Sequence, residues 1–240
     1  MPGEIQRIVP DGSPEIILNL ANPFESQGGG NWHAQPEQFF VGQITGPMLV
    51  RPRGPAKVLG IRFHPHGASC LLRLPIHELN NQAILLDDLA PGLANEFERV
   101  KELKSTAQQL AHVDRALQAF FQRGGAEDNL VALAISQLKN SAATDLADIA
   151  FDLGLSSRQF QRRFKSAVGI GPKLFSRMQR FQRVFQTLAY SPGDWVNVAV
   201  ECGYYDQAHL INEFRDFAGE PPNALLRPGT DLAFHFLQTS

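Results

Sequence analysis

Two stretches in the C-terminal half of the chain repeat one pattern and decide the fold of that region. Residues 146–172 read LADIAFDLGLSSRQFQRRFKSAVGIGP, and residues 195–222 read WVNVAVECGYYDQAHLINEFRDFAGEPP. An Ala and a Gly four residues after it occur in both, 49 residues apart, and the closing Gly-x-x-Pro recurs at 50 residues. Two copies in register predict a duplicated supersecondary unit.

Each copy has the pattern that a helix-turn-helix requires. The small Ala150 or Ala199 lets the second helix cross the first closely, and Gly154 or Gly203 supplies the positive φ of the tight turn. An apolar pair at i and i+4 then docks the second helix onto the first. These pairs are Phe160 with Phe164 and Leu210 with Phe214.

The docking pair of the first unit leaves the opposite face of its second helix free to read DNA. Arg contacts guanine O6 and N7 bidentately, Gln contacts adenine, and Lys suits phosphate. We therefore predict a DNA-reading face on the first unit, made of Arg158, Gln161, Arg162 and Lys165.

The corresponding face of the second unit is polar and apolar mixed, and poor in charge. It can touch thymine methyl groups and adenine edges. The residues predicted on it are Gln207, Ala208, Ile211, Asn212 and Arg215. Ser156, Ser157 and Asp206 stand at the start of the two reading helices, where we expect helix N-caps near the DNA rather than base readers.

Charge is divided unevenly along this region, although the formal net charge of the 240-residue chain is only -2. From Gly154 to Gly193 there are eight Arg and Lys and no Asp or Glu, whereas from Asp194 to the C-terminus seven acids face two Arg. A local basic block is a candidate nucleic-acid footprint. The competing interpretation is a solvated helix face.

A long helix is predicted between the two units. Lys173 to Tyr190 is 18 residues, or roughly 27 Å at 1.5 Å per residue. Recognition helices that enter successive major grooves lie about 34 Å apart, so a bridge of this length suits that arrangement.

The first half of the chain has a different character. Short apolar or alternating runs predict strands up to about residue 65, with Ile5–Val9 and Glu15–Leu20 as a hairpin and Gln27–Asn31 as a flexible loop. Amphipathic helices follow over residues 92–122 and stop at Gly124-Gly125. We predict an α+β domain over residues 1–126, built from a small β-sheet or partial barrel plus helices. An all-α domain with two helix-turn-helix units follows over residues 127–240.

Residues 128–228 resemble the DNA-binding domain of the AraC/XylS transcription regulators. The matching motifs are Leu146-Ala147-x-Ile149-Ala150, Leu153-Gly154-Leu155-Ser156, Phe160-Gln161-Arg162-Arg163-Phe164-Lys165, Gly169-x-x-Pro172 and the run from Ala199 to Arg215. The N-terminal part resembles a subset of the same family. Its cues are Leu18–Glu25, Val41–Pro47, Gly60–Ala68 and Leu86–Leu89.

This resemblance implies a bacterial, cytoplasmic transcription regulator that binds double-stranded DNA and is not an enzyme. The N-terminal domain would serve as a sensor or dimerisation domain, and no cofactor is implied. A small-molecule effector, RNA polymerase and a second copy of the chain are the further candidate partners. Glu220 and Asn212 depart from the family pattern, which predicts weaker phosphate contact by the second unit.

A cupin-like metal-dependent enzyme or a small-molecule-binding protein is the alternative for the N-terminal domain. His33, His64, His66, His77 and Glu78 could supply metal ligands, but they do not form an HxH…E…H run, so we expect surface or loop histidines. Phe24 and Trp32 could line a ligand pocket or close the end of a barrel.

Composition excludes several other classes. Two cysteines cannot form a disulfide framework, and no Cys/His array suggests zinc. Cys70 and Cys202 fall on apolar helix faces, which predicts core residues rather than nucleophiles. No window of the sequence reaches the length of a membrane span.

Overall fold

A computed structural model describes residues 3–122, 128–140, 145–190 and 195–225. A β-rich N-terminal region precedes a helical C-terminal region, as the sequence predicts. The predicted domain boundary near residue 126 lies outside the described residues.

Two four-stranded antiparallel sheets form the N-terminal region. One sheet has the strand order β1-β6-β3-β4 and the other has the order β7-β2-β5-β8. The strands are β1 Gln6–Ile8, β2 Glu15–Asn19, β3 Phe24–Gly28, β4 Asn31–Ala34, β5 Gln38–Val41, β6 Met48–Pro52, β7 Val58–Arg62 and β8 Ala83–Leu85.

The predicted hairpin of the first two strands is wrong, because β1 and β2 belong to different sheets. In β1, Gln6 pairs with Val50 of β6, whereas β2 lies between β5 and β7. The segment Pro10–Pro14 therefore crosses from one sheet to the other. Alternation of apolar residues fixes the faces of a strand but leaves its partner open, which explains the error.

The glycine run is the turn of a hairpin rather than a flexible loop. β3 pairs with β4, and Gly28 lies opposite Asn31. Gly29 and Gly30 between them have φ values of 59° and 84°. A turn with two successive positive φ angles is the type that fits the twist of a hairpin and favours glycine.

Strands β2, β5 and β7 of the second sheet have one face toward helices and one toward the first sheet. Ile16 and Leu18 of β2 are buried against the helices, while Glu15 and Ile17 line a cavity between the sheets. The period of two along a strand produces this division. One face of the second sheet thus packs against the helical layer, and the other face lines a cavity.

The helical layer of the N-terminal region packs on that sheet around Phe40, Phe63, Leu93 and Phe97. Two 3-10 helices, Ile76–Leu79 and Arg99–Glu102, interrupt it. Its α-helices are α1 Gly67–Leu72, α2 Leu86–Leu89, α3 Pro91–Glu98 and α4 Thr106–Gln122.

The described C-terminal region contains helices alone. They are α5 Asn129–Asn140, α6 Leu146–Asp152, α7 Ser157–Val168, α8 Pro172–Tyr190, α9 Trp195–Glu201, α10 Gln207–Ala218 and α11 Pro222–Leu225. Asp128 caps α5, since its Oδ1 accepts from the amides of Leu130 and Val131 at 3.2 Å. Among the described helices, none has the length and apolar character to cross a membrane.

One aromatic core joins these helices. Phe164, Phe175, Phe181, Phe214 and Phe217 are all at most 1% exposed. Their rings meet at centroid distances of 4.8 to 5.5 Å in tilted or edge-on arrangements, which aromatic pairs prefer. Because Phe164 of the first docking pair and Phe214 of the second each meet a ring of α8, this helix lies at the centre of the helical region.

Candidate nucleic-acid interface

The two repeated stretches form helix pairs with the same backbone hydrogen bonds at the turn. The amide of Leu155 donates to the carbonyl of Ala150 at 2.9 Å, and the amide of Tyr204 donates to that of Ala199 at 2.8 Å. Gly154 and Gly203 have φ values of 66° and 79°. The predicted positive φ of the turn glycine is therefore confirmed in both units, and Ala150 and Ala199 are each 1% exposed.

Helix α7 begins with a capping box. The amide of Gln159 donates to the Ser156 hydroxyl at 3.3 Å, and the Ser156 amide donates to the Gln159 side chain at 3.0 Å. Ser157 is the first helical residue. Two otherwise unsatisfied amides are bonded in this way, which fixes where the helix starts and how it is rotated.

The rotation of α7 buries the docking pair and exposes the predicted reading face. Phe160 and Phe164 are at most 2% exposed. All four residues of the predicted face are exposed: Arg158, Gln161, Arg162 and Lys165. In the part of the chain that the structure describes, Arg158, Arg162 and Lys165 form no ion pair. Three cations and one amide thus point outward together from α7.

Arg163, the fourth cation of α7, is used differently. Its Nε donates to Asp128 at the start of α5, and this bond raises the pKa of Arg163. The pair attaches α7 to α5 and withdraws one positive charge from the reading face.

Helix α10 is the counterpart of α7 in the second unit. Asp206 is its N-cap and accepts from the amide of His209 at 2.7 Å. Leu210 and Phe214 are fully buried. The predicted face has four exposed residues, Gln207, Ala208, Asn212 and Arg215, and one half-buried residue, Ile211.

The turn before α10 is one residue longer than the turn before α7. Gly203 and the cap Asp206 enclose two tyrosines, while Gly154 and the cap Ser156 enclose Leu155 alone. Tyr204 is buried, and Tyr205 is 93% exposed. The extra residue explains the change of repeat distance from 49 to 50, and it adds Tyr205 to the surface beside α10.

Of the five acids that the structure describes between residues 195 and 225, three are bound to arginines. Glu213 has a side-chain exposure of 1% and accepts from Arg177 at 2.9 Å and from Arg180. Burial alone would lower the pKa of both arginines, but their bonds to Glu213 raise it. Asp216 also accepts from Arg177, at 2.7 Å. These ion pairs join α10 to the bridging helix.

The bridging helix α8 carries the other cations of the basic block. It has 19 residues, so its length is about 28 Å at 1.5 Å per residue. Arg177 and Arg180 face α10, and Arg183 donates to the carbonyl of Lys139 at 3.3 Å. Lys173, at the start of the helix, is exposed.

The N-terminal region contacts the Gly-x-x-Pro corner of both units, which sequence reasoning missed. At the first corner, Asn80 donates to the carbonyl of Gly169 at 2.7 Å. At the second, Arg7 and Glu220 form an ion pair at 2.6 Å, and a Cβ on Gly219 would lie 3.3 Å from Pro47. No local sequence pattern encodes such contacts, since the partners are 89 and 213 residues apart.

The segment that crosses between the sheets also contacts the bridging helix. The side chains of Gln182 and Gln179 donate to the carbonyls of Pro10 at 2.6 Å and Asp11 at 3.2 Å. Val9 belongs to the core of the helical region. The crossing segment is thus attached to the helix that spaces the two units.

The candidate metal ligands of the alternative interpretation lie on separate elements. His33 is on β4, His64 and His66 precede α1, and His77 and Glu78 are in a 3-10 helix. The described residues contain no group of three His, Cys, Asp or Glu that could hold a metal ion. Of the two cysteines, Cys202 is buried and Cys70 is half-buried.

Two family models match separate parts of the chain. One is described as a domain of unknown function, DUF6597, and covers residues 2–85. The other is described as a helix-turn-helix domain and covers residues 149–228, the segment that holds both helix pairs. None of the curated proteins matches the sequence.

Solved structures of ToxT from Vibrio cholerae are similar to this chain. Apo ToxT has a TM-score of 0.50 at 10% identity, with 94% of this chain and 93% of ToxT covered. A second ToxT structure has a TM-score of 0.48 at 10% identity, covering 99% and 98%. ToxT with an unsaturated fatty acid bound has a TM-score of 0.45 at 9% identity, covering 94% of both chains. The similarity to apo ToxT shows a shared fold.

Proposed function

We propose that this chain is a DNA-binding transcription regulator of the AraC/XylS type that reads two successive major grooves with α7 and α10. The helix-turn-helix family model over residues 149–228 supports this role. The observation that carries the proposal is the exposed face of α7, with three cations and one amide beside a fully buried docking pair. The bridging helix of about 28 Å suits recognition helices about 34 Å apart.

The first unit provides most of the contacts in this proposal. Arg162 lies at the centre of the exposed face and reads guanine, and Gln161 beside it reads adenine. Lys165 and Arg158 contact phosphates on either side. In the second unit, Gln207 and Asn212 read base edges, and Ile211 contacts a thymine methyl group.

Further partners belong to the same proposal. The N-terminal domain takes a small-molecule effector, and regulation rather than catalysis is its role. Leu110 and Phe121 of α4 are large apolar residues that stay exposed, which supports this helix as a homodimer surface. RNA polymerase is the proposed partner for activation, and the cytoplasm is the proposed site of action.

Binding-site selection from random duplex DNA with the full chain tests the proposal. We expect a recovered site with two specified segments about one helical turn apart. Arg162→Ala weakens the enrichment and relaxes the base preference at one position, whereas the control Arg99→Ala, which removes an exposed cation of the N-terminal region paired with Glu96, leaves it intact. A folded full-length protein that binds no duplex at low salt would overturn the proposal.

A further inference from the structure

A cavity of about 220 Å³ lies between the two β-sheets of the N-terminal domain. Both sheets contribute to it, and most of its wall is apolar. Ile8 and Val50 line it from the first sheet, and Ile17 and Phe39 line it from the second. Phe24 also lines it, whereas Trp32 lies outside, with its ring 4.2 Å below the Arg51 guanidinium. Such a concave, mainly apolar space with a few polar groups is typical of a small-molecule site.

Charge in the cavity wall is concentrated in Asp11, Glu15 and Arg62. Arg62 is 2.8 Å from the Asp11 carboxylate and 2.7 Å from that of Glu15. Two carboxylates therefore share one guanidinium, and no other charged residue is among those that line the cavity in the described chain. The wall carries a formal excess of one negative charge.

This excess is unfavourable because the side chains of Asp11 and Glu15 are only 20% exposed. Burial raises the pKa of Asp11 and of Glu15, although Arg62 opposes the rise at both, and the Ser13 amide and Lys139 also oppose it at Asp11. A buried carboxylate is stabilised when a positive group pairs with it. A cation in the cavity would supply that second partner, whereas an anion would add a third negative charge beside the first two.

We propose that the cavity binds a small organic cation, with an ammonium group beside Glu15 and Asp11 and a compact apolar body against Ile17, Phe24 and Phe39. This inference deepens the effector role proposed above and rests on it for its regulatory meaning. A single ring or a short alkyl chain suits a cavity of this size, since a cavity of about 150 Å³ can hold benzene.

The wall of the cavity contacts the DNA-binding domain through Asp11. Asp11 contributes its carboxylate to the cavity, and its carbonyl accepts from Gln179 of α8. Gly12, next to it, accepts from the buried Gln43 at 2.8 Å, and a Cβ on Gly12 would lie 3.0 Å from Phe175 of α8. A ligand in the cavity and DNA bound to the helical region would therefore both act on the crossing segment that holds Asp11 and Gly12. We expect the ligand to change the affinity for DNA, and DNA to change the affinity for the ligand.

The test measures binding of three matched probes to the full-length chain by calorimetry: benzylammonium, neutral benzyl alcohol and benzoate. We expect benzylammonium to bind at least about ten-fold more tightly than benzyl alcohol, because a charge-assisted bond replaces a neutral one. Benzoate is expected not to saturate the site. Equal or tighter binding of benzoate would overturn the proposal, as would the absence of any benzylammonium binding to folded protein.

Two variants locate the site. Glu15→Gln keeps the shape of the side chain and removes its charge, so benzylammonium should bind about ten-fold more weakly. Ile17→Phe fills the cavity and should abolish binding. Glu25→Gln is the matched control, since Glu25 also pairs with arginine, at 2.7 Å from Arg51, but does not line the cavity. An unchanged affinity in both Glu15→Gln and Ile17→Phe, with thermal unfolding showing folded protein, would refute the assignment.

An assay of DNA binding distinguishes a failure of this inference from a failure of the proposed function. The ligand-free chain is assayed on its selected DNA, and the titration is repeated with benzylammonium at saturation. Binding of benzylammonium with a changed DNA affinity supports both steps. Specific DNA binding without benzylammonium binding overturns the cation site alone, and benzylammonium binding that leaves DNA affinity unchanged overturns the coupling through Asp11.

Discussion

The two helix-turn-helix units share the backbone hydrogen bond and the glycine conformation of the turn, but they differ in how many cations the described chain leaves unpaired at the surface. Helix α7 exposes three cations on its predicted reading face, whereas α10 exposes only Arg215. The comparison shows that a count of charges along the sequence overstates the number of cations that stay unpaired at the surface. Of the eight basic residues between Gly154 and Gly193, Arg163, Arg177 and Arg180 form ion pairs within the protein.

Three acids of the second unit are also paired within the protein. Glu213 and Asp216 pair with α8, and Glu220 pairs with Arg7. Such acids do not repel phosphate directly, because each is neutralised by an arginine. We therefore expect the second unit to bind DNA less strongly through a shortage of cations rather than through repulsion.

The largest expected effect is on stability, from Glu213→Gln. Removing one partner of a buried ion pair costs about 3–5 kcal/mol. We expect about 3 kcal/mol here, since the Arg177 side chain keeps 35% of its surface exposed and can be hydrated. Denaturant unfolding of the full chain measures the loss.

Asp128→Asn is the matched change in the first unit. It removes the charge that pairs with Arg163, whose side chain is 45% exposed, and an Asn still caps α5. An exposed ion pair contributes about 0–1 kcal/mol. Equal losses in the free energy of unfolding of the two variants would show that ion pairs stabilise the second unit no more than the first.

Base discrimination should be the next largest difference between the units. Arg162→Ala removes one bidentate base contact, which is worth about 1–3 kcal/mol between cognate and scrambled DNA. Asn212→Ala, on the corresponding face of α10, should change this difference by less. Competition binding with both DNAs measures the effect. A larger loss from Asn212→Ala than from Arg162→Ala would reverse the roles assigned to the two helices.

The smallest expected effect is on salt dependence. Lys165→Ala removes one phosphate contact and should flatten the slope of log K against log salt by about 0.9. This change should be similar on every DNA sequence. Arg215→Ala is the matched change in the second unit. It is expected to alter the slope less, because α10 has no second predicted cation that would hold its face against the phosphates. Identical slopes for the wild type and Lys165→Ala would exclude the phosphate contact.

The helical domain could be predicted from sequence because its signals are local. Ala150, Gly154, Phe160 and Phe164 lie within one helix-turn-helix, and their spacing fixes the turn and the buried face of α7. Exposure of Arg158 and Lys165 follows from that face by helical geometry. The second unit repeats these relations with one added residue, Tyr205.

The N-terminal domain and its contacts could not be predicted in the same way. Strand partners such as Gln6 and Val50 are far apart in sequence, and the alternation of apolar residues leaves such pairing open. The bonds from Asn80 to Gly169 and from Gln182 to Pro10 join separate domains. The ion-pair partner of Arg177 and Arg180 likewise depends on the fold, because Glu213 lies on another helix.

Binding to DNA with single base substitutions through both half-sites tests the inequality of the two units most directly. With the full-length chain on its selected site, substitutions under α7 should each cost about 1–3 kcal/mol, while those under α10 should cost clearly less. Penalties of equal size in both half-sites would contradict the inequality and show that α10 reads DNA as strongly as α7.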